Sequence, residues 1–511
     1  MTDIAQRVGI VERGLLLGER TGFSVELGTR TRAAELSLVI DVYDFDNPVH
    51  PEGHLGWWSF PLAALDLPAQ VQLSLADGNV TINGQSSTAS WSNPDFAATS
   101  RLVVNAVLRS ATTNAIVDLD RVPAFTDPAD LAALRAGFDR DWSAPRYAPV
   151  QILPAAGETV HIVAPDLALR DGVGNLCLEL YRHLRQNNVP VMLHAARADF
   201  AIGDLVSPYK ALPERVGAAD RVIYFYSTHD PLLGLVTGLD CRSKAAYFHG
   251  VTDPARVRVF DPELAAACSK ALAGLDALAD FDRLAANSRH SAKILSRALP
   301  PARQREVAVV PPLLAASGSV VDDETHSRAP VLLTVCQIRP HKRVEDVLRL
   351  FAEYRRLVPE ARLHVVGRAP SRPYMDYLAW VQVDELGLPP DAVMWLGSIA
   401  PDELAAQYRA AALYVSMSED EGFCLPLFEA MRHRLPVAAF ALPAVLETLG
   451  GAGLVFGDKD FPLLAGQLAA MLADAGRREA LAAAGAARAA QWLAAMDGTG
   501  LVELVYGTGS G

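Results

Sequence analysis

The chain has 511 residues and a formal net charge of −13, with 46 basic and 59 acidic residues. Half of the residues are hydrophobic and 21% are charged, so the composition is that of a globular protein and excludes a largely disordered chain. The acidic excess and the lack of a basic block argue against nucleic acid as a partner. At roughly 150 residues per domain, the length predicts about three domains.

The cysteines and the apolar segments set further limits. The five cysteines are far apart and no two have metal-ligand spacing, which argues against a structural zinc site and a disulfide framework. The N-terminus lacks the basic and apolar run of a signal peptide. Residues 435–446 are the best candidate for a membrane span, but they are too few and contain Pro436 and Pro443. We expect a cytoplasmic protein, and contact with the inner face of the membrane is left open.

Short strands predominate in the first part of the chain. Residues 36–42 are apolar and β-branched, which is typical of a strand. Residues 71–75 and 80–82 flank a DGN sequence at 77–79 that favours a hairpin turn. We therefore predict an all-β accessory domain over residues 1–145, of the sandwich type.

From about residue 150 the pattern changes to strands that alternate with helices. In the first half of this region the predicted elements are strands at 160–164, 189–194, 222–226 and 245–248 and a helix at 176–185. In the second half they are strands at 331–335, 362–366, 393–396 and 413–417 and helices at 344–357 and 401–411. The alternation predicts two α/β domains with parallel sheets, at residues 146–320 and 321–511. Ligands are then expected in a cleft beyond the carboxyl ends of the strands.

The most informative segment is residues 416–431, with the sequence SMSEDEGFCLPLFEAM. A strand ends near its start, an acidic loop follows, and Pro426 favours the first turn of a helix. The amides of Cys424, Leu425 and Leu427 are then expected at a helix N-terminus, where they suit a phosphate group.

Two glutamates flank this helix start. Glu421 and Glu429 are separated by a distance that in a helix is roughly 12 Å, too far for the two carboxylates to share one proton or one metal ion. They suit the two hydroxyl-bearing ends of a long ligand with phosphates between them, which is the shape of a nucleotide-diphosphate sugar. Two glutamates at this spacing, without other signals, more often face solvent at a helix start. Here Gly422, Pro426 and the strand-loop-helix context favour ligand binding instead.

Residues 421–429, EGFCLPLFE, resemble the Glu-x7-Glu signature of the family-4 retaining glycosyltransferases, which have two facing Rossmann-like domains in the B-type arrangement. The resemblance extends over about residues 158–500. It implies that Glu421 contacts the transferred sugar and that Glu429 contacts the ribose. The other donor-binding residues that it implies in this segment are Gly422, Phe423, Cys424 and Leu425.

A second stretch, residues 334–351 (TVCQIRPHKRVEDVLRLF), resembles the family loop that brings an arginine and a lysine to the diphosphate. Lys342 lies at the lysine position and is predicted to act in catalysis. Gln337 occupies the arginine position, and Arg339 lies two residues farther on, on the same face of an extended segment. We predict that Arg339 and Gln337 contribute to donor binding. Cations here would offset the charge of the leaving nucleoside diphosphate.

Three further sites follow from the resemblance. The glycine turn that contains Gly172 and Gly174 is expected to let backbone amides approach a phosphate or the acceptor. His249 follows a short strand and is expected to donate or accept a hydrogen bond at the transferred sugar, as a third catalytic residue. A loop that places backbone groups against the base is predicted at Gly397, Ser398 and Ile399.

No metal site and no cofactor beyond the nucleotide sugar are expected. Asp44 and Asp46 form the Asp-x-Asp pattern with which a different class of glycosyltransferases binds a metal, but they lie far in sequence from the donor segment and fit a solvated turn. Trp57, Trp58 and Trp91 fit core or interface packing better than a sugar-binding platform.

The resemblance to the family-4 glycosyltransferases implies a retaining hexosyltransferase, and we expect it to need no metal ion. The donor would carry mannose, glucose or an amino sugar, and the acceptor would be a glycan, a lipid-linked molecule or a protein, as in the synthesis of bacterial surface polysaccharide or lipopolysaccharide. Two alternatives stay open: a nucleotide-sugar 2-epimerase with the same architecture, and a non-catalytic sugar-nucleotide- or glycan-binding protein, which Gln337 favours. The β domain would bind the acceptor, another copy of the chain or a partner protein.

Overall fold

The structure is a computed structural model of the whole chain, which forms two compact units, Met1–Ala144 and Pro145–Gly511. In the first unit the structure describes the strands given below together with residues 83–84 and 87. In the second unit it describes residues 154–507 with gaps at 156, 169–171, 199–201, 203–204, 230–231 and 314–328.

The described part of the first unit consists of strands. They are β1 (Val8–Ile10), β2 (Leu16–Leu17), β3 (Arg20–Leu27), β4 (Leu36–Asp44), β5 (His54–Pro61), β6 (Ala69–Ser74), β7 (Asn79–Ile82), β8 (Gln85–Ser86), β9 (Ala89–Ser92), β10 (Arg101–Ser110) and β11 (Ile116–Phe125). They form two sheets, in the orders β1-β3-β6-β7-β8 and β2-β11-β10-β4-β5-β9. Neighbouring strands are antiparallel except for β2 and β11. For the residues that the structure describes in this unit, the predicted β architecture is confirmed.

Two further predictions for this unit can be compared with the structure. The predicted hairpin is present, since β6 pairs with β7 in antiparallel register. Trp58 is 2% exposed and lies across from the buried Ile40, so it is a core residue. Asp44 is the last residue of β4, whereas Asp46 lies outside the described residues.

The first half of the second unit is an α/β domain. Its strands are β12 (Val160–Leu167), β13 (Val191–Ala198), β14 (Val206–Pro208), β15 (Arg221–Tyr226), β16 (Ser243–Phe248), β17 (Arg283–Ala286) and β18 (Ala308–Val309). Its helices are α1 (Gly172–Gln186), α2 (Leu212–Arg215), α3 (Leu232–Thr237), α4 (Pro254–Val257), α5 (Pro262–Ala273) and α6 (Arg289–Ala298). The strands form one parallel sheet in the order β14-β13-β12-β15-β16-β17-β18.

The second half repeats this architecture. Its strands are β19 (Val331–Val335), β20 (Arg362–Val366), β21 (Val393–Gly397), β22 (Leu413–Ser416), β23 (Val437–Phe440) and β24 (Leu454–Phe456). Its helices are α7 (Val344–Leu357), α8 (Arg372–Trp380), α9 (Pro401–Ala410), α10 (Leu425–Arg432), α11 (Pro443–Leu449), α12 (Phe461–Ala473), α13 (Ala475–Ala495) and α14 (Thr499–Tyr506). The sheet is parallel in the order β21-β20-β19-β22-β23-β24.

Both sheets have the strand order of a Rossmann fold, with the first strand of each half beside its fourth. Successive strands are added toward one edge of the sheet up to the third strand and toward the opposite edge from the fourth, so the strand order reverses between β12 and β15 and between β19 and β22. Ligands bind at such switch points, beyond the carboxyl ends of the strands. Strands β15 and β19 are buried along their whole length, as expected of a sheet covered on both faces. The predicted pair of Rossmann-like domains is confirmed.

The predicted glycine turn before α1 is corrected by the structure. The helix begins at Gly172, so Gly172 and Gly174 belong to its first turn rather than to a preceding loop. A Cβ at Gly174 would lie 2.1 Å from the carbonyl oxygen of Ala168, so only glycine lets the helix start this close to the end of β12. Periodicity alone missed this start because the first turn contains two glycines, which have low helix propensity.

The last helix returns to the first half. Arg283 donates from Nε to the carbonyl oxygen of Leu504 (2.6 Å) and from Nη2 to that of Val505 (2.7 Å). Such cations satisfy the last carbonyl groups of a helix and suit its dipole. Asp474 lies between α12 and α13. Its carboxylate accepts a hydrogen bond from the backbone amide of Arg477, in the first turn of α13. None of the helices in the described ranges is both long and apolar enough to cross a membrane.

Two buried histidines are paired in the first α/β half. His161 Nδ1 and His194 Nε2 are 2.9 Å apart, and His161 Nε2 lies 3.3 Å from a carboxylate oxygen of Asp220. Burial lowers the pKa of His161, although Asp220 opposes this effect. Burial, the charge of His161 and that of Arg215 lower the pKa of His194 to about 3. Burial therefore favours the neutral form of both imidazoles in the folded protein.

We predict that the free energy of unfolding falls as the pH is lowered below 6.5, the ordinary pKa of histidine. The unfolded chain then binds protons that folded His194 does not bind until about pH 3, which costs about 1.4 kcal/mol per pH unit for this residue. Above pH 6.5 this contribution is constant. Urea titrations on either side of that pH measure the effect, and the His194→Gln variant should show a shallower dependence. An equal dependence in the variant would contradict the assignment.

Candidate active site

The loops that follow β19 and β22 lie at the switch point of the second half and bring Lys342 to Glu421. The Nζ of Lys342 donates to Oε1 of Glu421 over 2.8 Å, and the two side chains are 18% and 10% exposed. Burial alone would lower the pKa of Lys342, but the charges of Glu421 and its neighbours outweigh burial and raise this pKa. Lys342 therefore keeps its positive charge beside the carboxyl ends of β19 and β22.

Helix α10 starts directly after the loop that follows β22. Its first residue is Leu425, so the predicted helix start near Pro426 is confirmed. Cys424 precedes the helix with a left-handed φ of 65°. The prediction for the amide of Leu427 is wrong, because this amide donates to the carbonyl oxygen of Cys424 (3.1 Å) and is not available to a phosphate. The amides of Cys424 and Leu425 lie at the helix N-terminus. Burial, followed by the charge of Glu421, raises the pKa of the Cys424 thiol, which favours its protonated form.

Glu429 lies in the second turn of α10, on the far side of the helix start from Glu421. The hydroxyl of Tyr408, on α9, donates to its Oε2 over 2.8 Å. Burial raises the pKa of Glu429, and this hydrogen bond opposes the effect. The hydrogen bond from Tyr408 therefore orients the carboxylate of Glu429.

Four predicted residues from both halves come together beside Glu421. A Cβ on Gly422 would lie 2.8 Å from the carbonyl oxygen of His249 and 2.6 Å from Nδ2 of Asn287. A Cβ on Gly172 would lie 3.3 Å from Nε2 of His249 and 3.8 Å from a methyl group of Leu425. The side-chain Nδ2 of Asn287 donates to the carbonyl oxygen of His249 over 2.8 Å. Asn287 therefore links the His249 segment to the Gly422 loop, a role that sequence reasoning missed.

Arg339 points toward the first half. Its Nε donates to Oε1 of Gln337 (2.5 Å), so the two residues share a face as predicted. Its Nη1 donates to a carboxylate oxygen of Asp261 (2.9 Å), a residue that the sequence did not single out. Burial lowers the pKa of Arg339, and Asp261 opposes this effect.

The remaining predicted residues lie around this centre. Phe423 is 3% exposed, and its ring meets Trp492 edge-on with centroids 4.9 Å apart, so its side chain packs in the core. Gly397 ends β21 with a φ of 61° and accepts from the amide of Gly367 (2.8 Å). Ser398 is exposed, and Ile399 packs against the core of the second half. Among the described residues, no group of three or more His, Cys, Asp or Glu side chains could hold a metal ion.

Comparison with known proteins identifies a class for this part of the chain. Residues 329–474 match the family described as "Glycosyl transferases group 1". The chain is similar to the O-antigen chain mannosyltransferase B of Escherichia coli, with 30% identity over 161 residues, 31% of this chain and 41% of the relative. It is also similar to the D-inositol 3-phosphate glycosyltransferase of Segniliparus rotundus, with 29% identity over 240 residues, 43% of this chain and 51% of the relative. The chain thus spans about half the length, or less, of these curated relatives.

Solved structures share the fold of the second unit. WaaG, a glycosyltransferase involved in lipopolysaccharide biosynthesis, superposes with a TM-score of 0.53 at 16% identity, covering 68% of this chain and all of WaaG (100%). Anabaena HepE in complex with UDP and glucose superposes with a TM-score of 0.51 at 16% identity, covering 68% of this chain and 99% of HepE. The fold is therefore that of the B-type glycosyltransferases, and the residues that match the group 1 family lie in the half that carries Lys342, Glu421 and Glu429.

We predict that Gly422→Ala separates the two halves at this contact. Because the new methyl group would overlap Asn287 and the carbonyl oxygen of His249, the free energy of unfolding should fall by about 1–3 kcal/mol. Hydrogen exchange should also accelerate in the loop at 419–422. Gly457→Ala is the matched control, since a Cβ there meets nothing within 4 Å. Equal stability and exchange in both variants would contradict the contact.

Proposed function

We propose that this chain is a retaining, metal-independent glycosyltransferase that moves a hexose from a nucleotide-diphosphate sugar to an acceptor. The proposal depends on one observation: the ion pair of Lys342 and Glu421 beside the N-terminus of α10, at the switch point of the second half. The match of residues 329–474 to the glycosyl transferases group 1 family supports it.

The charges around this pair suit a nucleoside diphosphate. Lysine has three N–H donors, and one of them is directed at Glu421, which leaves others for phosphate oxygens. The N-terminus of α10 adds backbone amides and the positive end of the helix dipole. With Lys342 between Glu421 and the diphosphate, the carboxylate and the phosphate do not repel each other directly. In this proposal, Lys342 and the helix N-terminus stabilise the leaving diphosphate without a metal ion.

The two halves would divide the work of the reaction. We assign Glu421 and His249 to the hydroxyl groups of the transferred sugar and Glu429 to the ribose. In a same-face reaction the bond from the anomeric carbon to the phosphate oxygen breaks while the acceptor oxygen bonds to the same face of that carbon. The departing phosphate takes the acceptor's proton. The protein then contributes orientation and charge stabilisation rather than a nucleophile.

The substrates are proposed by class. The relative named as an O-antigen chain mannosyltransferase favours a hexose such as mannose, with glucose or an amino sugar as alternatives, and a role in bacterial surface polysaccharide or lipopolysaccharide synthesis. The acceptor would be a glycan, a lipid-linked molecule or a protein. We propose that the N-terminal β unit binds the acceptor, a second copy or a partner protein.

A second candidate function is binding of a sugar nucleotide without turnover. It is favoured by Gln337 at the arginine position and by Arg339, whose Nη1 is engaged by Asp261 in the first half. A donor-binding role for Arg339 would require this ion pair to open. Donor hydrolysis or transfer to any acceptor would exclude the binding-only function.

We predict that one nucleotide sugar binds selectively without added metal and that Glu429→Ala weakens this binding. Loss of hydrogen bonds to a carboxylate is expected to weaken the affinity by about 10- to 100-fold. Saturation-transfer NMR over a panel of nucleotide sugars measures the effect, with Glu353→Ala on α7 as the control acid. If the folded protein binds no member of the panel, the donor site is wrongly assigned.

We also predict that Lys342→Gln lowers kcat by about 10²- to 10³-fold, because a preorganised charge on the leaving group is lost. The exposed Lys293→Gln is the matched control and should leave kcat unchanged. Because Lys342→Gln leaves Glu421 without its cation, the Lys342→Gln/Glu421→Gln double variant checks that the fold persists. Activity that survives EDTA and a product with the anomeric configuration of the donor would support the mechanism. Activity that requires a divalent metal would contradict it.

A further inference from the structure

A segment of the first half lies along the second half, beside the acidic residues that precede Glu421. This segment, residues 253–261, is called the strap; it contains α4 and the four residues that follow it, and it begins shortly after His249. Its two faces differ, since Val257 is fully buried whereas Val259 is 83% exposed. The strap is therefore packed on one side only.

The near end of the strap binds the acids that precede Glu421. The amide of Asp253 donates to a carboxylate oxygen of Asp420 over 2.8 Å, and Arg256 forms an ion pair with Glu419. Glu419 is already fixed within the second half by Lys459, whose Nζ lies 2.7 Å from its other oxygen. The second half thus offers Arg256 a preoriented carboxylate.

The far end of the strap is anchored by an aromatic ring. Phe260 packs against the core of the second half, with its ring centroid 5.2 Å from that of Tyr374 and 5.2 Å from that of Tyr377. The hydroxyl of Ser371 donates to the carbonyl oxygen of Phe260 over 2.9 Å. An apolar ring packed against two tyrosines resists separation of the halves more than a surface ion pair does.

Asp261 ends the strap with a carboxylate that has two functions. Its Oδ1 accepts from the amide of Leu264 and caps α5 (3.0 Å), and its Oδ2 accepts from Arg339 (2.9 Å). Gln337 orients the same guanidinium through Nε. Arg339 therefore forms an ion pair that joins the second half to the first half.

We propose that the strap is a positioning element for the glycosyl transfer proposed above, on which this inference rests. Its near end is joined to His249 by a short stretch of chain, and it binds Glu419 and Asp420, which immediately precede Glu421. A Cβ on Gly422, the residue that follows Glu421, would lie 2.8 Å from the carbonyl oxygen of His249, so the two segments are in contact. In this proposal, docking of the strap sets the position of His249 against Glu421. Phe260, Asp261 and Arg256 are positioning residues that act through His249.

Two variants and one control test the strap. Phe260→Ala removes the aromatic anchor, and Asp261→Asn removes the charge that faces Arg339 while an amide oxygen still caps α5. Val259→Ala changes an exposed residue of the same segment. For each variant the donor Kd is measured by NMR, kcat is measured with saturating donor, and hydrogen exchange is followed in residues 250–256 and 418–422.

We expect Phe260→Ala and Asp261→Asn to leave the donor Kd within about twofold of the wild-type value and to lower kcat at least about tenfold, with faster exchange in both segments. Phe260→Leu should recover most of the lost kcat, and Val259→Ala should behave as the wild type. Unchanged kcat and exchange in both variants would overturn the proposal. A loss of donor affinity equal to the loss of kcat would also overturn it, since the strap would then belong to the donor site.

The experiment separates failure of the strap from failure of the proposed function. If the wild-type protein binds no nucleotide sugar, the proposed function fails, and hydrogen exchange alone then tests the docking. Faster exchange in Phe260→Ala and Asp261→Asn, but not in Val259→Ala, would support the docked strap. Equal protection in all of them would overturn it.

Discussion

The arrangement of the second unit depends on the close approach of Gly422 to the chain around His249. Since a Cβ at Gly422 would overlap the carbonyl oxygen of His249 and the amide of Asn287, only glycine lets the loop after β22 lie directly on the first half. The contact joins strand ends of two separate parallel sheets. Because Glu421 is the preceding residue, the same constraint fixes the carboxylate that faces Lys342.

Three consecutive acids in this loop would repel one another if they were left in a common environment. The structure gives each a different donor: Lys459 and Arg256 for Glu419, the amide of Asp253 for Asp420, and Lys342 for Glu421. Burial raises the pKa of Asp420, and the amide of Asp253 opposes that effect. A partly buried carboxylate is tolerated only when it is paired. The acidic loop therefore becomes stable only where both halves contribute donors, and its charge favours their association.

The parts of the fold that the sequence predicted well are those with strong local signals. Strands β19 and β20 and helix α7 have the predicted bounds, because buried strands are short apolar runs and an amphipathic helix has a clear period. The short strands β14 and β18 were not predicted. With three and two residues, respectively, they have too little sequence to carry a pattern, and their pairing is decided by neighbouring strands.

The sequence by itself determined the class of fold, because the alternation of strands and helices is a local pattern. From the strand-loop-helix pattern and a family resemblance it also predicted Lys342, Glu421 and Glu429 as residues of the donor site, and this assignment stays a prediction. Only the tertiary structure decided the partners of those residues. Arg339 faces Asp261 across 78 positions of the chain, and Lys342 meets Glu421 across 79. The first contact arises where the two halves pack together, and the second arises where the loops after β19 and β22 meet at the edge of one sheet. No periodicity or spacing in the sequence specifies how the carboxyl edges of the two sheets meet.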